Sequence, residues 1–152
     1  MTVLYNNADC LLNKRNDLEL LAKTSKPHII GITVVNPKNT RLPVQESELC
    51  MQDYECYPSL VGGRGACLYI HNSLTASEVK LSNTTVCDSV WCTVRLSGTD
   101  QLLVGCVYRS PNISTDDDVQ LNNMLLEASN YKTSHVVVMG DFNHPEIDWL
   151  SE

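Results

Sequence analysis

The strongest candidate for chemistry in this chain of 152 residues is the tetrapeptide Gly140-Asp141-Phe142-Asn143. It follows an apolar segment from His135 to Met139 that is typical of a buried strand. Reactive groups commonly follow strand ends, where rigid backbone meets an open loop. The Asp141 carboxylate can orient a water molecule, and the Asn143 amide can donate to a phosphoryl oxygen from the same side if the strand geometry persists. The pair suggests a phosphate site, although Asp and Asn also form simple turns.

Two other predicted strands end in polar residues. Asn7 lies near the end of an opening apolar segment from Val3 to Ala8, and Tyr108 and Arg109 end a segment that begins at Leu102. Taken singly, Asn7 could cap a strand end and Tyr108 could be an aromatic residue at the core edge. Because polar groups follow several strands, we predict that Asn7, Tyr108, Asp141 and Asn143 converge on one site.

The spacing of apolar residues predicts that an α/β domain positions these groups. A helix is indicated from Asn13, as its N-cap, to Lys26, because its apolar residues recur at helical intervals. Pro27 ends this helix, and His28–Thr33 has the composition of a buried strand. Strand, helix and strand in this order are typical of parallel pairing.

The rest of the chain alternates irregular and strand-like segments. Val34 to Ser59 is predicted to be a long surface loop with a short strand around Tyr54–Tyr57. Further strands are predicted at 66–71, 90–96 and 102–109, the last two as a hairpin. A second helix is capped by Ser114 or Thr115, and the acidic run Asp116–Asp118 in its first turn suits the helix dipole better than a metal ion.

The charge distribution bears on possible partners. The formal net charge is −7: residues 1–99 carry 9 basic and 9 acidic side chains, and residues 100–152 carry 2 and 9. Nucleic acids are usually bound by Lys and Arg that displace counterions, so this balance argues against tight nonspecific binding by the chain alone. An enzyme that binds cations beside a phosphate can still be acidic. With 43% hydrophobic residues, the chain is expected to form one domain over 1–152.

The seven cysteines and the first residues suggest a compartment. No basic segment followed by a long apolar run marks a secretory signal, and no apolar stretch is long enough to cross a membrane. An odd number of cysteines, several within strand-like segments, suggests reduced thiols and an intracellular protein. Zinc pairs at Cys50 and Cys56, or at Cys87 and Cys92, are the alternative, but neither has the spacing of a zinc knuckle.

Six segments, in order and spacing, carry a family resemblance: YNNADCLLNKRNDL, HIIGITVVNPKN, GGRGACLYIHNSL, DSVWCTVRL, LLVGCVYRSPN and VVVMGDFNHPEIDW. Together they resemble the apurinic-type endonuclease domain of non-LTR (LINE-like) retrotransposons, within the endonuclease/exonuclease/phosphatase superfamily. The resemblance extends over essentially the whole chain. Each segment is a weak signal alone, but the ordered set is specific.

The resemblance implies a fold and an activity. The fold would be a four-layer α/β sandwich, and the activity Mg²⁺-dependent hydrolysis of a DNA phosphodiester, which nicks target DNA for reverse transcription. Asn7 matches the family's active-site Asn after the first strand, and Tyr108 matches a tyrosine that contacts the scissile phosphate. Asp141 and Asn143 match the residues that position the attacking water and hold the phosphate.

Two departures weaken the expected activity. The family has a metal-binding glutamate where this chain has Val34, so Asp141 alone would form a weak Mg²⁺ site unless Glu46 or Glu48 approaches from the following loop. In the family, a closing Ser-Asp-His motif follows well after the segment that corresponds to Gly140–Asn143, and this chain stops at Glu152 without such a motif. We therefore expect a C-terminally truncated sandwich that lacks strands of its second sheet and can self-associate through an exposed sheet face or edge.

Two hypotheses follow. The chain is either a magnesium-dependent DNA endonuclease domain with impaired or no activity, or a non-catalytic remnant that acts as a binding or interaction module. A phosphoesterase of the same superfold, acting on a small phosphate ester, is a third possibility.

Overall fold

The computed structural model describes residues 1–38, 42, 44–60, 63–82, 85–144 and 147. These residues contain two α-helices, two short 3-10 helices and eight strands. The helices are α1 (Arg15–Ser25) and α2 (Thr115–Ser129), and the 3-10 helices are Leu11–Lys14 and Glu46–Leu49. The strands are β1 (Val3–Asn7), β2 (Ile29–Thr33), β3 (Tyr54–Ser59), β4 (Ala66–His71), β5 (Ala76–Val79), β6 (Asp88–Arg95), β7 (Gln101–Tyr108) and β8 (His135–Asp141).

The first sheet has the strand order β1-β2-β4-β3. β1 and β2 are parallel, with Asn7 opposite Thr33, and α1 connects them, which confirms the predicted strand-helix-strand opening. β4 runs antiparallel to both β2 and β3. Every residue of β2 is buried, as expected for a central apolar strand.

The second sheet has the order β5-β6-β7-β8. β6 and β7 form the predicted antiparallel hairpin, and β8 is parallel to β7. In this register Tyr108 is opposite Asp88 on one side and Asp141 on the other. The ends of β6, β7 and β8 that carry polar residues are therefore aligned.

Side chains alternate along each strand, and this alternation builds four layers. Between the sheets lies an apolar core that includes Ile29, Leu68, Val104 and Met139. The outer face of the first sheet packs against α1, and that of the second sheet against α2. The order is helix, sheet, sheet, helix, which is the predicted four-layer α/β sandwich. No helix in the described residues is both long and apolar enough to cross a membrane.

Three details of the sequence prediction were wrong. The helix does not begin with an Asn13 cap: a 3-10 turn that buries Leu11 comes first, and α1 starts at Arg15. The segment after Val34 is not a surface loop, because Leu49 and Met51 enter the core beneath α1. β5 was missed, since it is a short, partly exposed edge strand without a long apolar run.

The second helix begins as predicted. The Ser114 side chain accepts a hydrogen bond of 3.1 Å from the backbone N–H of Asp117, which satisfies one of the free donors of the first turn. The acidic run Asp116–Asp118 occupies that turn. Leu121, Met124 and Ala128 are buried against the second sheet, whereas Leu126 is 62% exposed.

The packing of α2 can be tested by truncating its buried and exposed leucines. Leu121→Ala should lower the free energy of unfolding by about 2–5 kcal/mol, because it leaves a cavity against the second sheet. Leu126→Ala, the matched control on the exposed face, should change it by less than about 0.5 kcal/mol. Urea denaturation followed by circular dichroism measures both values. Equal losses in the two variants would contradict the assigned helix face.

Candidate active site

Polar side chains cover one end of the core between the sheets. Along β8, Val137 and Met139 face the core, and Asp141 is the next residue on that face. The same alternation places Asn7, Thr33 and Tyr108 at the last inward positions of β1, β2 and β7, and Asp88 at the first inward position of β6. The site therefore lies where β1, β2, β7 and β8 end and β6 begins, above the apolar layer between the sheets.

Asn7 and Asp141 are in direct contact across the two sheets. The Asn7 Nδ2 donates to Asp141 Oδ2 at 2.9 Å, although the residues are 134 positions apart in the sequence. The Asn7 Oδ1 accepts a hydrogen bond of 3.2 Å from the backbone N–H of Asp9. Both ends of the amide are thus engaged, and its orientation is fixed relative to the carboxylate.

Tyr108 lies beside this pair in the strand register. Burial raises the pKa of its hydroxyl above the ordinary value, and the carboxylates of Asp141 and Asp88 raise it further, while the Arg64 guanidinium partly opposes them. The hydroxyl is therefore protonated at neutral pH and can donate a hydrogen bond. A second tyrosine, Tyr5, has its hydroxyl 2.8 Å from the Thr33 hydroxyl.

Gly140 allows β8 to approach β7 immediately before Asp141. A Cβ atom at this position would lie 1.9 Å from the carbonyl oxygen of Val107, far inside van der Waals contact. Only glycine fits without moving the backbone. The glycine of the tetrapeptide therefore has a steric role in placing Asp141 beside Tyr108.

Arg109 holds the loop that follows β8. Its Nε donates to Asp118 Oδ1 at 2.7 Å, its Nη1 donates to the carbonyl oxygens of Phe142 and Asn143 at 3.4 and 2.8 Å, and its side chain is 9% exposed. The hydrogen bond from Arg109 lowers the pKa of Asp118. The acidic run of α2 thus supplies a partner for Arg109 in addition to its favourable place in the helix dipole.

The strand geometry that would turn Asn143 the same way as Asp141 does not persist. β8 ends at Asp141, and Asn143 has a positive φ of 44°. Its Nδ2 donates to the carbonyl oxygen of Arg109 at 2.8 Å, which closes the loop. Asn143 still lines the same open cleft as Tyr5, Asn7 and Asp141.

The residues at this site do not form a preformed magnesium site. Val34, at the position of the expected glutamate, is 3% exposed and has a φ of 59°, which is strained for a β-branched residue. Glu46 and Glu48 lie in a 3-10 helix beside α1, where the Glu48 carboxylate accepts a hydrogen bond from the backbone N–H of Gln45. Among the described residues, no three His, Cys, Asp or Glu side chains are arranged to hold a metal ion.

The hydrogen bond from Asn7 uses one acceptor position of the Asp141 carboxylate. A carboxylate has further acceptor positions on its two oxygens, so Asp141 can still supply one ligand to a cation. All seven cysteines are free of disulfides, and five of them are buried.

The sequence interpretation missed three groups at this end of the core. Asp88 is 2% exposed, and its Oδ2 accepts hydrogen bonds from the backbone N–H groups of Arg64 and Gly65 at 3.1 and 2.9 Å. Arg64 occurs in the sequence analysis only within the segment GGRGACLYIHNSL. His144 also lines the cleft, with its Nε2 3.9 Å from Asp118 Oδ1. These three residues are far apart in the sequence and follow no regular spacing, so nothing in the sequence indicates that they lie close together.

Comparison with solved structures identifies the fold. A humanised Danio rerio TDP2 superimposes with a TM-score of 0.70 at 13% sequence identity, over 96% of this chain and 67% of that one. The 3′ phosphatase NExo from Neisseria, bound to a product DNA hairpin, gives 0.65 at 16% identity, over 97% and 60%. The endonuclease domain of TRAS1, a telomere-specific non-LTR retrotransposon, gives 0.62 at 17% identity, over 93% and 58%.

The chain has the endonuclease/exonuclease/phosphatase fold. It spans about three fifths to two thirds of the length of these three structures. No protein-family model and no curated protein sequence matches it. The predicted fold is confirmed, and within this fold the cleft at Asn7 and Asp141 is the candidate active site.

The contact between Asn7 and Asp141 predicts a specific pH dependence. Asn7→Asp would place two carboxylates in contact, which raises the pKa of the pair in the folded protein above its unfolded value. A raised pKa means that the folded state binds the proton more tightly, so this variant should regain stability as pH falls from 7 to 5. Because the pair is exposed, the loss at pH 7 should be only about 0.5–1 kcal/mol.

Thermal or urea unfolding at pH 5 and 7 measures this effect. Asn6→Asp is the control, because the neighbouring side chain lies on the opposite face of β1. If the two variants show the same pH dependence, the assigned contact is wrong.

Proposed function

We propose that this chain is part of a retrotransposon-derived DNA endonuclease domain that keeps the phosphate-binding side of its site and has impaired or no hydrolytic activity. The observation that carries the proposal is the hydrogen bond between Asn7 and Asp141 at the mouth of an open cleft. The endonuclease fold and the order of the sequence segments support it. The buried Val34 accounts for the impairment, because it offers no ligand for magnesium.

The residues of the cleft have complementary chemistry for a phosphodiester. Asp141 can accept a proton from a water molecule that attacks phosphorus, while a P–O bond to the departing strand breaks. The neutral Tyr108 hydroxyl and the Asn7 amide can donate to non-bridging oxygens. Asn143 would act by holding the loop behind Asp141, through its hydrogen bond to the Arg109 carbonyl.

DNA is the proposed partner. Danio rerio TDP2 has been solved with a single-strand DNA product, and this chain superimposes on that structure with a TM-score of 0.66 at 12% identity, over 95% of this chain and 61% of that one. The net charge of −7 means that binding by this chain should be weak and strongly reduced by salt. We place the protein inside the cell, in keeping with its free thiols.

The main alternative is a non-catalytic module that binds a partner or another copy of itself. β1 and β8 are the edge strands of their sheets, and they lie next to each other. Unpaired strand edges favour association with another chain. A concentration-dependent molecular mass in analytical ultracentrifugation, without any hydrolysis, would favour this alternative.

Nicking of supercoiled plasmid in the presence of Mg²⁺ tests the proposed endonuclease origin. The natural sequence should nick little or not at all, whereas Val34→Glu should increase the rate at least about tenfold, which corresponds to ~1.4 kcal/mol in activation free energy. Addition of Asp141→Ala to Val34→Glu, or of a chelator, should abolish the gain. Val34→Gln is the matched control, because it has the same size without the carboxylate.

Two outcomes would contradict the proposal. Rapid nicking by the natural sequence would show that Val34 does not impair the site. No gain in a Val34→Glu protein that melts at the same temperature as the natural one would favour the interaction module.

A phosphomonoesterase is the second candidate activity. The same fold includes the 3′ phosphatase NExo from Neisseria and a mannosyl-6-phosphatase from Bacteroides thetaiotaomicron, with TM-scores of 0.65 and 0.60. Release of inorganic phosphate from an oligonucleotide with a 3′-phosphate would distinguish this activity from strand nicking.

A further inference from the structure

Hydrogen bonds hold the backbone of Arg64 in place close to the candidate site. Its backbone N–H and that of Gly65 donate to the buried Asp88 carboxylate at 3.1 and 2.9 Å. Its carbonyl oxygen accepts a hydrogen bond of 2.8 Å from the backbone N–H of Asn36. The Asn36 side chain in turn donates to the carbonyl oxygen of Gly63. Asp88 and Asn36 therefore both hold the turn before β4, and the Arg64 side chain extends from a backbone that is fixed by hydrogen bonds.

The guanidinium of Arg64 contacts Asp9, which is hydrogen-bonded to the cleft residue Asn7. Its Nη2 lies 3.2 Å from Asp9 Oδ1, and the backbone N–H of Asp9 donates to Asn7 Oδ1. Asn7 then donates to Asp141, so one chain of contacts joins the guanidinium to the candidate catalytic carboxylate. The charge of Arg64 also acts on the Tyr108 hydroxyl, where it opposes the rise in pKa caused by burial.

The protein satisfies the Arg64 guanidinium only in part. Its Nε is buried and has no hydrogen-bond partner among the described residues. Within the described part of the chain, its ionic partner is Asp9, whose side chain is 79% exposed, and exposed ion pairs of this kind contribute little to stability. The other nearby cation, Arg109, differs in this respect, because Asp118 and two carbonyl oxygens already occupy its donors.

We propose that Arg64 is the phosphate-binding cation of this cleft, and that a phosphoryl group displaces Asp9 from its Nη2. A guanidinium presents two parallel N–H donors that match the oxygens of a phosphate. This role deepens the proposed function and rests on the same cleft. It also supplies a positive charge that is linked to Asp141 through Asp9 and Asn7, at the end of the sheets where Val34 leaves no carboxylate for a magnesium ion.

Binding of inorganic phosphate, measured by isothermal titration calorimetry with EDTA present, tests the role of Arg64. Arg64→Ala should weaken binding at least tenfold, and Arg64→Lys should weaken it less, because the charge is kept without the paired donors. Asp9→Asn should tighten binding about threefold or more, since it removes the competing carboxylate. Arg95→Ala is the control, because this exposed arginine ends β6 away from Asp88 and should leave binding unchanged.

The Asp9→Asn variant separates binding from a structural role. If the ion pair only stabilises the fold, Asp9→Asn will leave the phosphate affinity unchanged or weaken it in parallel with Arg64→Ala, and the proposal is wrong. Unchanged affinity in a folded Arg64→Ala or Arg64→Lys protein also overturns it. The phosphate titration contains no metal, so it does not depend on the plasmid-nicking assay. If nicking is absent but phosphate binding depends on Arg64, the role of Arg64 stands. If nicking occurs but phosphate binding does not depend on Arg64, only the role of Arg64 is refuted.

Discussion

The hydrogen bond between Asn7 and Asp141 depends on how the two sheets face each other. Each residue occupies the last inward position of its strand, directly above the apolar layer between the sheets. The strands carry these residues to the same end because β1 is parallel to β2, and β8 is parallel to β7. Any shift of β8 by one residue would turn Asp141 outward. The site thus depends on the register that Gly140 permits.

Much of the fold could be predicted from the sequence because its signals are local. The apolar run that forms β2 and the one that ends at Met139 indicate buried strands, and Pro27 and Ser114 mark helix ends. The segment after Val34 was mistaken for a surface loop, since its apolar residues are scattered and are buried only because α1 covers them. Such burial depends on tertiary packing and has no periodic pattern.

The site was predictable only in part for a related reason. Asn7, Tyr108 and Asp141 could be proposed because they follow predicted strands. The geometry of Asn143 could not, because the positive φ and the hydrogen bond to the Arg109 carbonyl depend on a loop held by Arg109. Asp88 and Arg64 are 24 positions apart, and the hydrogen bond between them is visible only once β4 and β6 are in place.

The site combines groups suited to binding a phosphate with a poor arrangement for binding magnesium. Asn7 and Asp141 line an open cleft and Tyr108 is opposite Asp141 in the strand register, while the buried Val34 lies where the family resemblance implies a carboxylate. Electrostatic stabilisation of a developing negative charge is commonly the largest contribution to catalysis. Under the proposed function, the lack of a carboxylate at Val34 should therefore reduce hydrolysis more than binding, and Arg64 would preserve affinity for the phosphate.

The central claim is that the cleft at Asn7 and Asp141 binds the phosphate backbone of DNA. Two-dimensional ¹H–¹⁵N NMR of the chain, titrated with a short single-stranded oligonucleotide at low salt and with EDTA, tests it most directly. The largest shifts are expected in the Asn7 side-chain amide and in the backbone amides of Asp9, Gly65 and Asp141. Shifts confined to the opposite end of the sheets, around His71 and Arg95, would contradict it.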